Sequence, residues 1–298
     1  MKILCIGHAS YDITIPFDGY PIENTKNRVD EKYECGGGPA SNAAYLLGKW
    51  GLDTTFVGVL GDDVYARRIK SEFDKIGVNT DYLEYDGDAE TTLSLIIVNK
   101  KNGSRTVLAH RLPDMRLKNK CSLKADVILM DGQELKASLE AIGNNQNAIT
   151  ILDAGSLKDE NIELGKKVKY LVCSKSFAED FTKIKIDFNN PKSISDVYSA
   201  MNKEFKNNII ITLEAKGCLY IMDNKIKLMP SIKVTPVDTT GAGDIFHGAF
   251  TYCIAVGYDL EKSLKIANIT GALSVTRMGG RNSVFSLEEV MKVYEKNI

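Results

Sequence analysis

Six short runs in this 298-residue chain are apolar at consecutive positions rather than alternate ones: "KILCIG", "TTFVGVL", "DVILMDG", "AITILDAG", "VKYLVCS" and "NNIIITL". A strand of that kind has no face to give to water, so it needs cover on both sides, as in a parallel sheet between two helical layers. Helical patterns lie between the runs: Pro39 to Trp50 ending at Gly51, Val64 to Ile76 ending at Gly77, and Ile194 to Phe205. Towards the C-terminus further helical patterns fall near 241–256, 260–277 and 286–296. Alternating strand and helix predict an α/β fold: a doubly wound, mostly parallel sheet with helices on both faces.

Two segments break the alternation. Residues 11–35 and 91–110 read as strands and turns without helices, the second as a hairpin turning at "NKKNGS". In "TTLSLIIV", Leu93, Leu95 and Ile97 fall on one face and Ile96 and Val98 on the other. A small sheet projecting from the main body would find one cover over a ligand and the other against a second subunit.

Composition narrows the class. With 44% hydrophobic and 26% charged residues the chain has material for a core. A net charge of −1 leaves no basic footprint for nucleic acid or an anionic membrane. Cys5, Cys35, Cys121, Cys173, Cys218 and Cys253 form no CxxC pair, and at least Cys5, Cys173 and Cys253 sit in apolar runs, so reduced core thiols are expected. The apolar run of "MKILCIG" ends at Ile6 with no small-residue cleavage site after it, which suits a first strand better than a signal peptide. No stretch is long enough to span a membrane, and a cytoplasmic location is expected.

The stretch that carries chemistry is "VDTTGAGDIFHGAF", residues 237–250. If a helix begins near Gly241, its first amides lack intrahelical acceptors and lie at the positive end of the dipole. Gly241, Ala242 and Gly243 let an anion approach that backbone closely, with Asp244 on the first turn beside it. The same residues read equally well as a glycine turn before a helix capped by a carboxylate. No GxxxxGK[ST] occurs in the chain, and the spacing here is not the GxGxxG of a dinucleotide site.

"DTTGAGD" followed by Phe246 and Gly248 resembles the signature of the PfkB, or ribokinase-like, family of carbohydrate kinases. "CGGGPASNAAYLLGKWG" resembles the family's other signature; counting back from Gly51 makes Gly37 and Gly38 its glycine pair, leaves Gly36 over, and puts Asn42 on the sugar-binding Asn. The resemblance covers nearly the whole chain. It implies one ribokinase-like kinase domain over 1–298, with the two strand-rich segments, about 11–35 and 91–110, folded as a β-sheet lid over the sugar. It further implies ATP as donor, Asp244 as the base for a sugar hydroxyl, and 241–243 as the anion hole for the transferring phosphate. Asp12 and Asn42, with Gly37 and Gly38, would hold the sugar. Physically the pairing is sound, since phosphoryl transfer is catalysed mainly by positioning and charge stabilisation.

The nucleotide side matches less closely. "SKSFAEDF" stands for the family's NxxE, with Ser176 for Asn and Glu179 kept, the latter implied to act on Mg2+ or phosphate through water. "TLEAKG" stands for TxGxxG, with Thr212 and Gly217 kept and Glu214 in place of the first Gly; Asn268 falls beside the adenine. Asp238 and Thr240 match residues near a monovalent-cation site, so K+ activation is implied. "VNKKNGSRTVLAHR" and "VCSKSFAED" resemble ketohexokinase and bacterial sulfofructose kinases more than ribokinase itself. Arg105, His110 and Arg111, near the lid, are either surface charges or in reach of an anionic substituent on the sugar.

The reading is therefore a sugar kinase acting on a hydroxymethyl group, as a homodimer paired through the lid. A nucleoside kinase of the same family would need an aromatic cradle, for which only Tyr11, Phe17, Tyr20 and Tyr33 are available. A catalytically silent sugar-binding protein would be expected to lose Asp244 or the glycines, and both are kept. A nicotinamide dehydrogenase is disfavoured by "GHASYD", which ends the first strand without a glycine fingerprint.

Overall fold

The six apolar runs are six contiguous parallel strands of one sheet. The computed structural model describes residues 1–112, 115–119 and 121–297. In chain order the strands are β1 (Lys2–Ile6), β2 (Ser10–Phe17), β3 (Tyr33–Gly37), β4 (Asp53–Gly61), β5 (Leu83–Asp86), β6 (Leu93–Asn99), β7 (Arg105–His110), β8 (Val127–Met130), β9 (Ile149–Ala154), β10 (Tyr170–Ser174), β11 (Asn208–Thr212), β12 (Cys218–Met222) and β13 (Lys225–Met229). The large sheet runs β13-β12-β11-β10-β9-β8-β1-β4-β5, parallel from β11 to β5, with β12 and β13 added antiparallel at one edge.

The helices are α1 (Pro39–Lys49), α2 (Val64–Lys75), α3 (Leu135–Asn144), α4 (Asp159–Gly165), α5 (Lys175–Thr182), α6 (Pro191–Glu204), α7 (Ala242–Ala255), α8 (Leu260–Ser274) and α9 (Leu287–Glu295). Successive strand residues serve opposite layers. Ile3 and Cys5 of β1 pack in a core with Leu46, Phe73, Phe250, Leu264 and Val290 from α1, α2, α7, α8 and α9. Leu4 and Ile6 pack in a second core with Ala137, Leu164, Phe177 and Val197 from α3, α4, α5 and α6. That two-sided burial is what the unbroken apolar runs required. All six cysteines are unpaired and buried. Among the described residues no helix is long and apolar enough to cross a membrane.

Sequence periodicity does not single out α3, α4, α5, β5, β12 or β13. α4 has seven residues and α5 eight, too few turns to show a face, and "KIKLM" of β13 carries two lysines at a sheet edge.

The two strand-rich segments meet in a separate four-stranded sheet, β3-β2-β6-β7, whose β6–β7 turn closes through Gly103 N to Asn99 O at 2.8 Å. Register rows in this sheet are Asp12–Ser94–Ala109, Thr14–Ile96–Val107 and Pro16–Val98–Arg105 on one face. The rows Ile13–Leu95–Leu108 and Ile15–Ile97–Thr106 occupy the other, where Leu108 is 57% exposed.

α1 and α7 lie close because Gly248 faces α1: a Cβ there would stand 3.1 Å from Ala43 Cα. Gly248→Val should push the helices apart, costing about 1–3 kcal/mol by overpacking. Chemical denaturation checks the stability loss, and unchanged turnover in the folded variant would show that the α1–α7 spacing does not matter to function.

Candidate active site

Most helices here begin on an ordinary cap or a proline; α7 does not. Asp63, Asp259 and Ser286 accept amides at the starts of α2, α8 and α9. α7 instead begins after Gly241, at φ +72, with no side-chain cap. Ile245 N already bonds Gly241 O at 2.9 Å, while Ala242 N is only 3.5 Å from Thr239 O. Among the described residues the amides of Gly241, Gly243 and Asp244 meet no protein acceptor. They form an open donor set at the positive end of a 14-residue helix, suited to an anion.

Asp244 lies beside those amides, and Asn42 of α1 donates to its Oδ2 at 2.7 Å. Burial pushes the Asp244 carboxyl up to about 7 and nearby Asp153 adds to the rise; the Asn42 hydrogen bond, His247 and Arg105 oppose it. Asp12, also buried, accepts from Ser10 Oγ at 2.9 Å. Burial raises its pKa, opposed by hydrogen bonds from Ser10 and Ser94. A Cβ at Gly37 would collide with the Asp12 carboxylate, and Gly38, at φ +94, leads into α1 and Asn42. Asp12, Gly37, Gly38, Asn42 and Asp244 thus converge on one side of the open amides.

Several residues that sequence reasoning missed support this arrangement. Arg281, 2% exposed, donates to Glu72 Oε2 at 2.8 Å and to Ser41 Oγ, and its Nε is 3.4 Å from Asn42 Oδ1. Its guanidinium stacks over Phe73 with 4.4 Å to the ring centroid. A side chain at Gly36 would collide with that guanidinium, and Gly36 N donates to Glu72, so the apparently surplus glycine has a reason. Beneath α7, His247 Nδ1 lies 2.6 Å from Gly243 O and 3.2 Å from Asp153 Oδ2. Burial pushes Asp153 up to about 8, with the nearby Asp131 charge adding to it. Burial thus favours the uncharged form of Asp153 beneath the open amides. "FHGAF" and "LDAG" stand about ninety residues apart in sequence, and neither alone signals the pairing.

The small sheet touches the loop before α7. Thr239 N bonds Gly103 O at 3.1 Å, and Arg105 Nη1 donates to Thr239 Oγ1 at 2.9 Å. Arg105 is thus fixed two residues before Gly241, while exposed His110 lies 3.4 Å from Glu90 and at the other end of β7 in the register. The four aromatics do not assemble: Tyr11 stacks on Tyr65 and bonds Glu34, while Tyr20 is 42% exposed and reaches Ser104.

Among the residues expected to meet the nucleotide, Thr212 pairs in register with Ser174 at the C-terminal ends of β10 and β11, where open α/β sheets bind ligands. Ser176 Oγ is exposed there, 2.8 Å from Ser174 Oγ, and Thr212 Oγ1 faces Cys173 O at 3.3 Å. Gly217, at φ +98, sits where a Cβ would collide with Met229 O. Glu214 has φ +54 in an exposed turn, which explains why a glycine suits that position and shows a residue tolerating the strain. Glu179 Oε2 accepts from Lys185 Nζ at 2.8 Å and its Oε1 from Ile186 N at 2.9 Å. Asn268 Nδ2 lies on Met229 O at 3.2 Å and Cys218 Sγ at 3.5 Å.

Asp238 ties two loops together, its Oδ1 accepting from Thr240 N and its Oδ2 from Gly279 N, both at 2.8 Å. Both carboxylate oxygens are thereby used on amides, whereas Thr240 Oγ1 is buried with no partner among the described residues.

Residues 1–286 match the profile of the pfkB family of carbohydrate kinases. Over 304 aligned residues the chain is 25% identical to ribokinase of Staphylococcus aureus (strain COL), covering 98% of this chain and 99% of that one. Ribokinase from Thermotoga maritima superposes with a TM-score of 0.81 at 26% identity, over 98% of this chain and 99% of that one. Arabidopsis thaliana ribokinase complexed with ribose and ATP shares the fold, with a TM-score of 0.76 at 20% identity over 98% and 97% of the two chains. The chain belongs to the pfkB family of carbohydrate kinases, and it is an ATP-dependent phosphotransferase with an alcohol group as acceptor.

The raised Asp244 pKa has a cost in stability. Below its ordinary 3.8 the group is protonated in both folded and unfolded chains; as pH rises toward about 7 the unfolded chain ionises freely and the fold resists, so stability falls. Asp244→Asn should therefore melt higher than the wild type at pH 8 and alike at pH 3.5, read by calorimetry. A variant melting lower at pH 8 would show that the carboxylate is stabilised by its surroundings.

Proposed function

We propose that this kinase transfers the γ-phosphoryl group of ATP to a hydroxymethyl group of a small sugar. The observation that carries the reading is the placement of Asp244, held by Asn42 at 2.7 Å, next to the open amides at the start of α7. The 241–243 amides take the γ-phosphate oxygens. Arg105, on Thr239, adds positive charge where negative charge spreads in the transition state. Asp12 and Asn42 grip sugar hydroxyls above Gly37 and Gly38, and Asp244 orients the acceptor hydroxyl. As the new O–P bond forms and the bond from the γ-phosphorus to the β–γ bridging oxygen breaks, the hydroxyl proton passes to Asp244 and ADP leaves. In a loose transition state this transfer comes late, so a carboxylate near neutrality is basic enough.

Ser176 and Thr212 line the end of the sheet where the nucleotide lies, with Gly217 allowing the turn beside it. Among the described residues no cluster of carboxylates or histidines would hold a metal alone. Magnesium fits here as an ion carried on the ATP phosphates, where it neutralises their charge, as its preference for water and phosphate oxygens allows. A potassium ion would be held by the loops that Asp238 joins, where the buried Thr240 Oγ1 has no partner among the described residues. The apolar outer rows of the lid, Ile13, Leu95 and Leu108 among them, suit a second copy of the chain.

Asp244→Asn is expected to lower kcat about 1,000-fold with little change in ATP binding; near-normal turnover would refute the role of base. Asp12→Ala should raise the sugar KM about 10-fold while leaving that for ATP alone. Asn42→Ala should lower kcat as well, because Asn42 also holds Asp244. Replacing K+ by Na+ in the same assay tests the cation. Sedimentation at micromolar concentration should show a homodimer that Leu108→Glu dissociates, and a monomeric wild type would remove the dimer.

A further inference from the structure

Beside the sugar site lies a cavity of about 290 Å³ whose lining the assigned chemistry does not use: Arg111, Arg116, Gly132, Gln133, Lys158 and Glu160. The chain as a whole has a net charge of −1, yet three of these six residues are cations and one is an acid. Among the described residues none of the three cations forms a salt bridge, and Arg116 donates only to the adjacent Met115 O. Their fields converge on His8: burial comes first in holding its imidazole far down, at about 3, followed by the charges of Arg111, Lys158 and Arg116. Arg111 itself is half-buried. The acids Asp131 and Glu134 act on the same three cations. Asp131, however, is held by the amides of His8, Ala40 and Gln133 and Glu134 by that of Leu117, so neither pairs with them and their donors stay free for an anion.

The cavity adjoins the sugar side through two links. Asp131 Oδ2 accepts from His8 N at 2.8 Å and from Ala40 N at 3.2 Å, so the end of β8 is tied to the start of α1, two residues from Asn42. The next residues along, Gly132 and Gln133, line the cavity. On the lid side Arg111 directly follows His110, which pairs with Leu93, the neighbour of the Asp12–Ser94–Ala109 row. The γ-phosphate donors at 241–244 and Arg105 belong to other elements, α7 and the opposite end of β7.

We propose that the acceptor of this kinase is a sugar bearing an oxyanion, a phosphate, sulfonate or carboxylate, at the end away from the phosphorylated hydroxymethyl group, and that Arg111, Arg116 and Lys158 bind that oxyanion. Guanidinium forks and an ammonium are matched to such oxygens, and charge-assisted hydrogen bonds to them are the strong ones. The product then carries negative charge at both ends: at one end the substituent it arrived with, at the other the new phosphoryl group. The proposal rests on the sugar-kinase reading above and refines its substrate class.

The test pairs turnover with binding. ADP formation is measured with D-fructose, D-fructose 6-phosphate, 6-deoxy-6-sulfo-D-fructose and D-fructuronate, and with D-ribose and D-ribose 1-phosphate. Binding of the same probes to Asp244→Asn is followed by thermal shift, which reads the subsite even where a probe is not turned over. One anionic form should exceed its neutral parent about 100-fold in kcat/KM, and which one does so separates phosphate, sulfonate and carboxylate. Arg111→Gln and Lys158→Gln should each reduce that anionic-to-neutral ratio about 10-fold, as expected for one charged hydrogen bond. Neutral sugars equal to or better than every charged form would overturn the proposal, as would an effect of these variants on the KM for ATP instead. If charged probes bind through Arg111 and Lys158 but no probe is phosphorylated, the subsite stands and the kinase reading of the sugar falls.

Discussion

The contact between Asn42 and Asp244 joins residues 202 positions apart in the chain, and most of the site is organised around it. It exists because α1 and α7 pack closely on one face of the sheet, with Gly248 leaving room for Ala43. That packing brings the N-terminal ends of both helices to the same point. One end supplies the polar amide above the glycine pair, the other the open backbone donors and the carboxylate. Preorganised donors of this kind need no rearrangement when charge develops, and this is where electrostatic stabilisation is largest.

Buried charge supports the contact from behind. Arg281 is enclosed by Glu72, Ser41, Phe73 and the bare backbone of Gly36, and its Nε stands at Asn42 Oδ1. Burying an ion pair seldom stabilises a fold relative to an apolar replacement, but removing one partner is expensive. Its position suggests what it does: with Oδ1 facing the guanidinium, the Asn42 amide is turned so that Nδ2 points at Asp244. Below α7, Asp153 and His247 lie 3.2 Å apart, and burial favours the uncharged form of Asp153 beneath the open amides. Asp244 itself is held near neutrality at the expense of stability, a strain of the kind active sites often carry.

The architecture was legible because its physical demands are local. A strand apolar at every position requires two covering layers wherever it sits, and the six central strands follow from that alone. "DTTGAGD" was legible through its resemblance to a family signature; its residues by themselves read equally well as open amides or as a capped helix start. Elements without such a local demand escaped, namely the short helices α4 and α5 and the charged edge strand β13. Glu179 and Asn268 match motif positions by residue type, but the motif does not show what they bond: Lys185 and Ile186 for the one and Met229 for the other, 6, 7 and 39 residues away.

The sequence by itself determined the layered α/β fold, because burial period is set within a few residues, and its resemblance to two family signatures marked the helix start at 241–244 and the glycine pair at 37–38. Only the tertiary structure decided that Asn42 grips Asp244, that Arg281 stands behind Gly36, that Asp153 and His247 meet under α7, and that Arg111, Arg116 and Lys158 surround one cavity. Those are meetings of side chains far apart in the chain, and their consequences, shifted pKa values and converging charge, arise from distance and desolvation, which no run of letters contains.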